Sequence, residues 1–338
     1  MKKTLLLSAL VLGASSMMLT GFDSAATPED VLEKYAEAST GLTQAAIDMD
    51  MNFGFDMSAA LPSGESQDLS IGILADLVAA TQITDPSDPS TLSAKVEGSM
   101  SVNAMEEQEQ VDMSVYVVPN EEGGLDSFAK VTEEDWEYAA LPGDQLKAQF
   151  DQIMEMLNGN TFDLSALPGT FTLGEEAVDV NGASCYQLLL NITYSDLEPM
   201  ITAAMAAAGE EVDEATMSLV GMVLSGFQFN MEFDINAETY QLAKMRMDMD
   251  GSDLTALSSI LSYSMADTDE DGNMILPELS MNISNAYIEA VYDYSTAVDF
   301  TVPEEALAAK ENSDGNEVPN LAELGEDLMS AAEDTVEE

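Results

Sequence analysis

Histidine is absent from the 338 residues, and cysteine and tryptophan occur once each. Without an imidazole, Ser-His-Asp and Cys-His catalysis and His-ligated zinc are excluded. The single Cys185 closes no disulfide within the chain, so no disulfide framework holds the fold. It reads as a small apolar strand residue, with an intermolecular disulfide as the alternative. Positive charge is nearly as scarce: nine Lys and Arg stand against 64 Asp and Glu, for a net charge of −55. That deficit excludes sequence-independent nucleic-acid binding and docking on anionic lipid through a basic patch. Beyond the N-terminus no segment offers the about 18 unbroken apolar residues of a membrane-spanning helix. The longest candidate, 217–229, is interrupted by Ser218, Gly221, Ser225 and Gly226. Yet 46% of the residues are hydrophobic, too many for an acidic disordered chain.

The N-terminus follows the plan of a secretory leader: Lys2 and Lys3, an apolar run from Leu5 to Leu12, then small residues. Leu19-Thr20-Gly21 matches the first three positions of a bacterial lipobox, whose fourth must be cysteine. Here it is Phe22, which has no thiol to receive a diacylglycerol, so a lipid anchor is not expected. Ser24-Ala25-Ala26 suits ordinary cleavage after Ala26. The expected product is extracytoplasmic, secreted or at the cell surface, with no transmembrane segment. Loss of Lys2 and Lys3 takes its net charge two units further, from −55 to −57. Self-repulsion at that charge predicts a monomer.

Strand periodicity dominates the remainder. In 48–57, Met49, Met51, Phe53, Phe55 and Met57 alternate with Asp48, Asp50, Asn52, Gly54 and Asp56, the pattern of a half-buried strand with one wetted face. Leu69–Leu77, Leu92–Val102 and Val111–Val117 continue it, joined by polar turns that favour sequential antiparallel pairing. Phe171–Val180 and Ser184–Tyr194 flank Asn181-Gly182, a hairpin signal. Phe227–Ile235, Ala243–Met249, Leu279–Ile283 and Val298–Val302 read as later strands, the last closing the sheet. Thr27, Pro28, Glu29 and Asp30 mark a helix start running to about Ser39. Further helices fit 143–157, 196–208, 213–224 and 253–265. The acidic 304–338 reads as a mobile tail, with a short helix near 320–332.

Several of these segments carry a resemblance. The helix Ala26–Tyr35 after a lipobox-like leader, the Met/Asp-alternating strands, the central helix, the hairpin Val180–Tyr186 and the closing Val298–Glu305 follow one another. In this style the chain resembles the uncharacterised bacterial lipoproteins near the LolA and LppX/LprG-like proteins, over roughly residues 27–306. The resemblance implies an α+β domain over 27–303: an open, strongly curved antiparallel half-barrel with helices on its concave face. It also implies an acyl chain or lipid conjugate held between sheet and helices.

The residues lean the same way. Many of the 23 methionines lie on apolar strand faces, and an unbranched thioether suits an adaptable apolar cavity. The expected lining is Met49, Met51, Phe53, Phe55, Ile71, Ile73, Val96, Met100, Met113 and Val115. The competing reading is an acidic cell-surface interaction or structural protein with a filled core. One motif points to a metal: Asp267, Asp269, Asp271, Asn273 and Glu278, with Gly272 at the turn, match a calcium loop, although a strand rather than a helix follows. No cofactor is otherwise required. Paired carboxylates of the glycosidase kind cannot be singled out, and no phosphate-binding or dinucleotide fingerprint occurs, so no enzyme is expected.

Overall fold

The computed structural model describes residues 26–312, apart from 40–41, 61–65, 86, 105–106, 133–134, 144–145, 148–163, 208–213 and 269–273. Thr27 starts the first element as its sequence predicts. Its Oγ1 accepts from the Asp30 amide at 3.2 Å, and the Asp30 carboxylate accepts from the Thr27 amide at 3.0 Å. This reciprocal pair satisfies amides that a first helical turn leaves open, and α1 (Pro28–Ala38) follows. Six strands come next: β1 (Gln44–Ala60), β2 (Ser66–Ile83), β3 (Leu92–Ala104), β4 (Glu107–Pro119), β5 (Leu125–Val131) and β6 (Glu137–Leu141). Then come β7 (Phe171–Leu173), β8 (Val178–Val180), β9 (Ala183–Ile192), α2 (Tyr194–Ala207) and α3 (Glu214–Leu224). The chain continues through β10 (Phe229–Asn236), β11 (Leu242–Asp248), α4 (Thr255–Ser264), the short pair β12 (Asp267–Thr268) and β13 (Met274–Ile275), β14 (Glu278–Asp293) and α5 (Glu304–Asn312).

Apart from β12 and β13, every strand belongs to one antiparallel sheet of twelve. Its order is β6-β5-β4-β3-β2-β1-β14-β11-β10-β9-β7, with β8 also on β9. β1 to β6 meander in chain order, as the polar turns predict. The first strand then meets the last, with Ala46 opposite Asp293 and Ala60 opposite Glu278. β6 and β7 remain separate edges, so the sheet is an open, curved half-barrel. Two local features shape it. The register of β1 against β14 slips between Asn52 and Gly54, where Asn285 takes a φ of 51° and bulges out of the ladder. At Gly98 a Cβ would collide with the Asp76 carbonyl, so only glycine lets β2 and β3 approach there.

The expected hairpin is present: Asn181 and Gly182, at φ 53° and 84°, form the two-residue turn between β8 and β9. The run read as one strand over 171–180 is instead two, because the chain breaks at Gly174, whose amide still bonds the Gln187 carbonyl at 2.8 Å. Helices α1 to α4 fall within two residues of the expected positions, while most of 143–157 lies outside the described residues. Two expectations are corrected. Val298–Val302 is not a strand. β14 already has β1 and β11 on its two edges, and Asp293 caps its end by accepting from Ser295 and Thr296. Residues 304–312, expected to open a mobile tail, form α5; residues 313–338 lie outside the described set.

Two cores result. The main one lies on the inner, concave face, where Val31, Tyr35 and Ala38 of α1 meet Ile47, Ala94, Val96, Val115 and Leu164. The second lies on the outer face, where Ala306 of α5 packs with Tyr116 and Phe128, flanked by Val118, Trp136, Tyr138 and Val302.

Candidate functional site

Strand register decides which side chains share the inner face. Met49 stands opposite Leu77 on β2 and Ala290 on β14. The same row continues through Gly98 and Met113 on one side, and through Met245, Phe233 and Leu188 on the other. The next row joins Met51, Ala75, Met100 and Val111 to Ile288, Met247, Met231, Leu190 and Phe171. Above it, Phe53, Ile73 and Val102 form a row, then Phe55, Ile71 and Ile283, then Met57, Leu69 and Met281. Among the described residues, no inner-face position of β1, β2, β3, β9, β10, β11 or β14 carries a charge, whereas on the β4–β6 side Glu107, Glu109 and Glu137 occupy inner-face positions, opposite Ala104, Val102 and Ala129.

Cover over this uniform surface is not uniform. Toward the start of β1 the face is closed by α1 and Leu164. Ala45, Ile47, Ala79, Ala94, Val96, Val115 and Val117 are all buried there, Val115 completely. From Met49 onward the side chains grow larger and yet remain half-buried: Met51, Phe53, Phe55, Met57, Leu69, Ile71, Ile73, Met100 and Val102 all keep contact with solvent. Met49 to Met57 spans about 27 Å along the strand. Close-packed interiors leave few such side chains unsatisfied, so a long half-covered apolar wall is the unusual feature of this molecule. Helix α4 lies along β14, α3 packs on α4, α2 packs on α3, and Leu197 of α2 reaches the main core.

The expected lining therefore divides. Met49, Met51, Phe53, Phe55, Ile71, Ile73 and Met100 stand together on the half-covered wall. Val96 and Val115 sit in the closed core, and Met113, 9% exposed, marks the boundary. The wall also continues onto β14, β11 and β10 through Met281, Ile283, Ile288, Met247 and Met231, which the expected lining omits. The alternation of Met245, Met247 and Met249 signals this face, but only the pairing of β1 with β14 brings it beside Met51.

The apolar part of the wall, on β1, β2, β3, β10, β11 and β14, can dissolve hydrocarbon and offers no anchor for an anion. The nearby polar groups serve the scaffold. Lys34 Nζ donates to Tyr240 Oη at 3.1 Å, and Tyr294 Oη donates to the Leu242 carbonyl at 3.0 Å. Burial pushes the Tyr292 phenol up to about 12. On the other face Lys244 meets Glu289 at 3.1 Å, and Arg246 meets Glu289 at 3.3 Å and Asp248 at 3.5 Å. A recess of about 470 Å³ beside β7 is lined by Thr172, Asn191, Asn230, Glu232 and Asp248. Its side chains bond one another, Asn191 to Asn230 at 2.6 Å and Asn230 to Asp248 at 2.8 Å.

Other candidate residues resolve as follows. Cys185 is fully buried, and burial, with Asp234 and Asp179 nearby, pushes its thiol up to about 11. It is an inert strand residue rather than a disulfide partner. Of the expected calcium loop, Asp269, Asp271 and Asn273 lie outside the described residues. Asp267 pairs through its backbone with Ile275 in the short β12–β13 ladder, and Glu278 is exposed at the start of β14. Among the described residues no helix is long and apolar enough to cross a membrane.

No family model matches the chain, and no curated protein matches it. Among solved structures it is similar to LprF from Mycobacterium bovis, at 12% identity over 83% of this chain and 100% of that one, with a TM-score of 0.37. It is also similar to a LolA superfamily protein from Nitrosomonas europaea, at 9% identity over 80% and 92% of the two chains, TM-score 0.19. A DUF1329 family protein from Desulfovibrio piger gives 7% identity over 76% and 88%, TM-score 0.19. What the inner face can hold follows from its own geometry.

Proposed function

We propose that this chain is an extracytoplasmic, non-enzymatic binding protein that holds an apolar or lipid-like ligand against the upper inner face. The carrying observation is the contrast within one surface. Across β1, β2, β3, β9, β10, β11 and β14 the same sheet face carries no charged position; it is closed at one end by α1 and left half-covered where Met, Phe and Ile outnumber Ala and Val. A filled core would extend the closed end upward. Methionines suit the role because an unbranched, polarizable chain repacks around guests of varied shape. A ligand chain would gain about 0.8 kcal/mol per buried methylene, and a wall of about 27 Å exceeds the roughly 15 Å of one bilayer leaflet's hydrocarbon.

Uptake of a fluorescent long-chain fatty acid by the mature protein tests this. Binding is expected to saturate, and Met51→Glu, which sets a charge in mid-wall, is expected to weaken it at least tenfold. Met51 is only half-buried, so an unchanged circular dichroism spectrum is expected for the variant. Absence of saturable uptake would favour the competing reading, an acidic surface protein with a filled core.

A further inference from the structure

Methionine and partial cover coincide on the inner face. The rows closed by α1, through Ala45 and Ala94 and through Val96 and Val115, hold no methionine among the described residues. Beyond them, Met51, Met100, Met247 and Met231 lie in one row, and Met57 stands directly opposite Met281. All six keep contact with solvent. Leucine or isoleucine would bury as much hydrocarbon there. A thioether adds a sulfur lone pair that peroxides oxidise.

No other sulfur competes for such an oxidant. Cys185, the chain's one cysteine, is fully buried. Oxidation at the wall would also have a sharp local effect, because it turns a flexible apolar side chain into a polar one. Around Met51 the side chains are Ala75 and Ile288 directly opposite, with Phe53 and Ile73 in the next row. None of these carries a hydrogen-bond donor. A sulfoxide oxygen at Met51 is therefore satisfied only by water drawn onto the wall, which sets a hydrated dipole where hydrocarbon would lie.

We propose that the half-covered wall is a site of methionine sulfoxide formation by hydroperoxides, and that the oxidised wall releases its ligand. The release step rests on the apolar-ligand reading above; the modification itself does not. In the reaction the thioether sulfur attacks a peroxide oxygen. The S–O bond forms as the O–O bond breaks, and sulfur is oxidised by two electrons. The other oxygen takes the proton of the attacked one and leaves as water, or as an alcohol from an organic hydroperoxide. A bound apolar chain covers the same sulfurs, so ligand and oxidant exclude each other. Reduction of the sulfoxides restores the apolar surface.

The test treats the full mature chain with hydrogen peroxide, with and without saturating fluorescent long-chain fatty acid, and maps the gain of about 16 Da per sulfoxide by peptide mass. Met51, Met57, Met100 and Met281 are expected to oxidise in the free protein and to be spared in the loaded one. Met222 and Met265, on α3 and just after α4, are 46% and 47% exposed and are expected to oxidise in both. Uptake by the oxidised protein is expected to fall at least tenfold, and to return after methionine sulfoxide reductases for both epimers. The double variant Met222→Leu/Met265→Leu is expected to lose uptake on treatment as the parent does. Wall sulfoxides that leave uptake unchanged would overturn the proposal, as would wall methionines that stay reduced while Met222 and Met265 oxidise. Loss of uptake with unfolding that the reductases do not reverse would also overturn it. An untreated protein that takes up no fatty acid would instead remove the apolar-ligand reading, and the release step with it, whatever sulfoxides form.

Discussion

Asp234 shows how one buried group sets a pH dependence. It lies on the outer face of β10 at 2% exposure, and among the described residues its Oδ1 has no hydrogen-bond donor. Burial first, then the negative charge of Glu232, pushes its carboxyl up to about 7 against the pull of Lys244. The unfolded value is about 3.9, so between the two the folded chain holds a proton that the unfolded chain has released. Stability from this group is therefore greatest at low pH, falls as pH rises from about 4 to about 7, and is constant above. Asp234→Asn removes the charge and keeps the shape. It is expected to be more stable than the parent by about 1–2 kcal/mol at pH 8 and no more stable at pH 4, measured by urea unfolding. An equal difference at both pH values would contradict this. Two phenylalanines on the same inner face test the gradient of cover. Phe233, fully buried, is expected to cost about 3–5 kcal/mol on replacement by Ala. Phe55, half-buried, is expected to cost about 1 kcal/mol or less, because its cavity opens to solvent.

At the scale of elements, α5 is a strap across the outer face. Asp126 on β5 is 5% exposed and accepts from Asn120 at 3.2 Å and from Tyr138 at 3.0 Å, while Lys310 of α5 supplies its counter-charge. Lys310→Ala would leave that carboxylate without a cation, at a cost of about 1–2 kcal/mol after allowance for the exposed lysine. Asp126→Asn in the same chain is expected to restore most of the loss. Trp136 packs in this outer core, so its emission is expected to shift to the red in the single variant and to return in the double. An unmoved emission would show that Lys310 does not hold the strap. The strap also marks where the sequence stops being legible. Period-two alternation and the Thr27 cap placed most strands and helices within a few residues, because those signals are local. Val298–Val302 alternates like a strand, yet both edges of β14 are taken, a fact about pairing that no local pattern contains. The same pairing extends the inner wall onto β10, β11 and β14, which the expected lining lacked.

Across the whole molecule, strong negative charge surrounds an inner face that is mostly apolar. With 64 acids and nine bases in the sequence, self-repulsion lowers stability at low ionic strength. The melting temperature is expected to rise with added NaCl, since screening at about 0.15 M shortens repulsion to about 8 Å. A flat or falling trend, measured calorimetrically, would contradict that.

Native mass spectrometry of the mature protein, purified without detergent, tests the central claim most directly. The account predicts a population heavier than the bare polypeptide by the mass of an apolar molecule that organic solvent releases, and loss of that population in Met51→Glu. A parent protein found only at its polypeptide mass, and unchanged in mass after incubation with long-chain fatty acid, would contradict it.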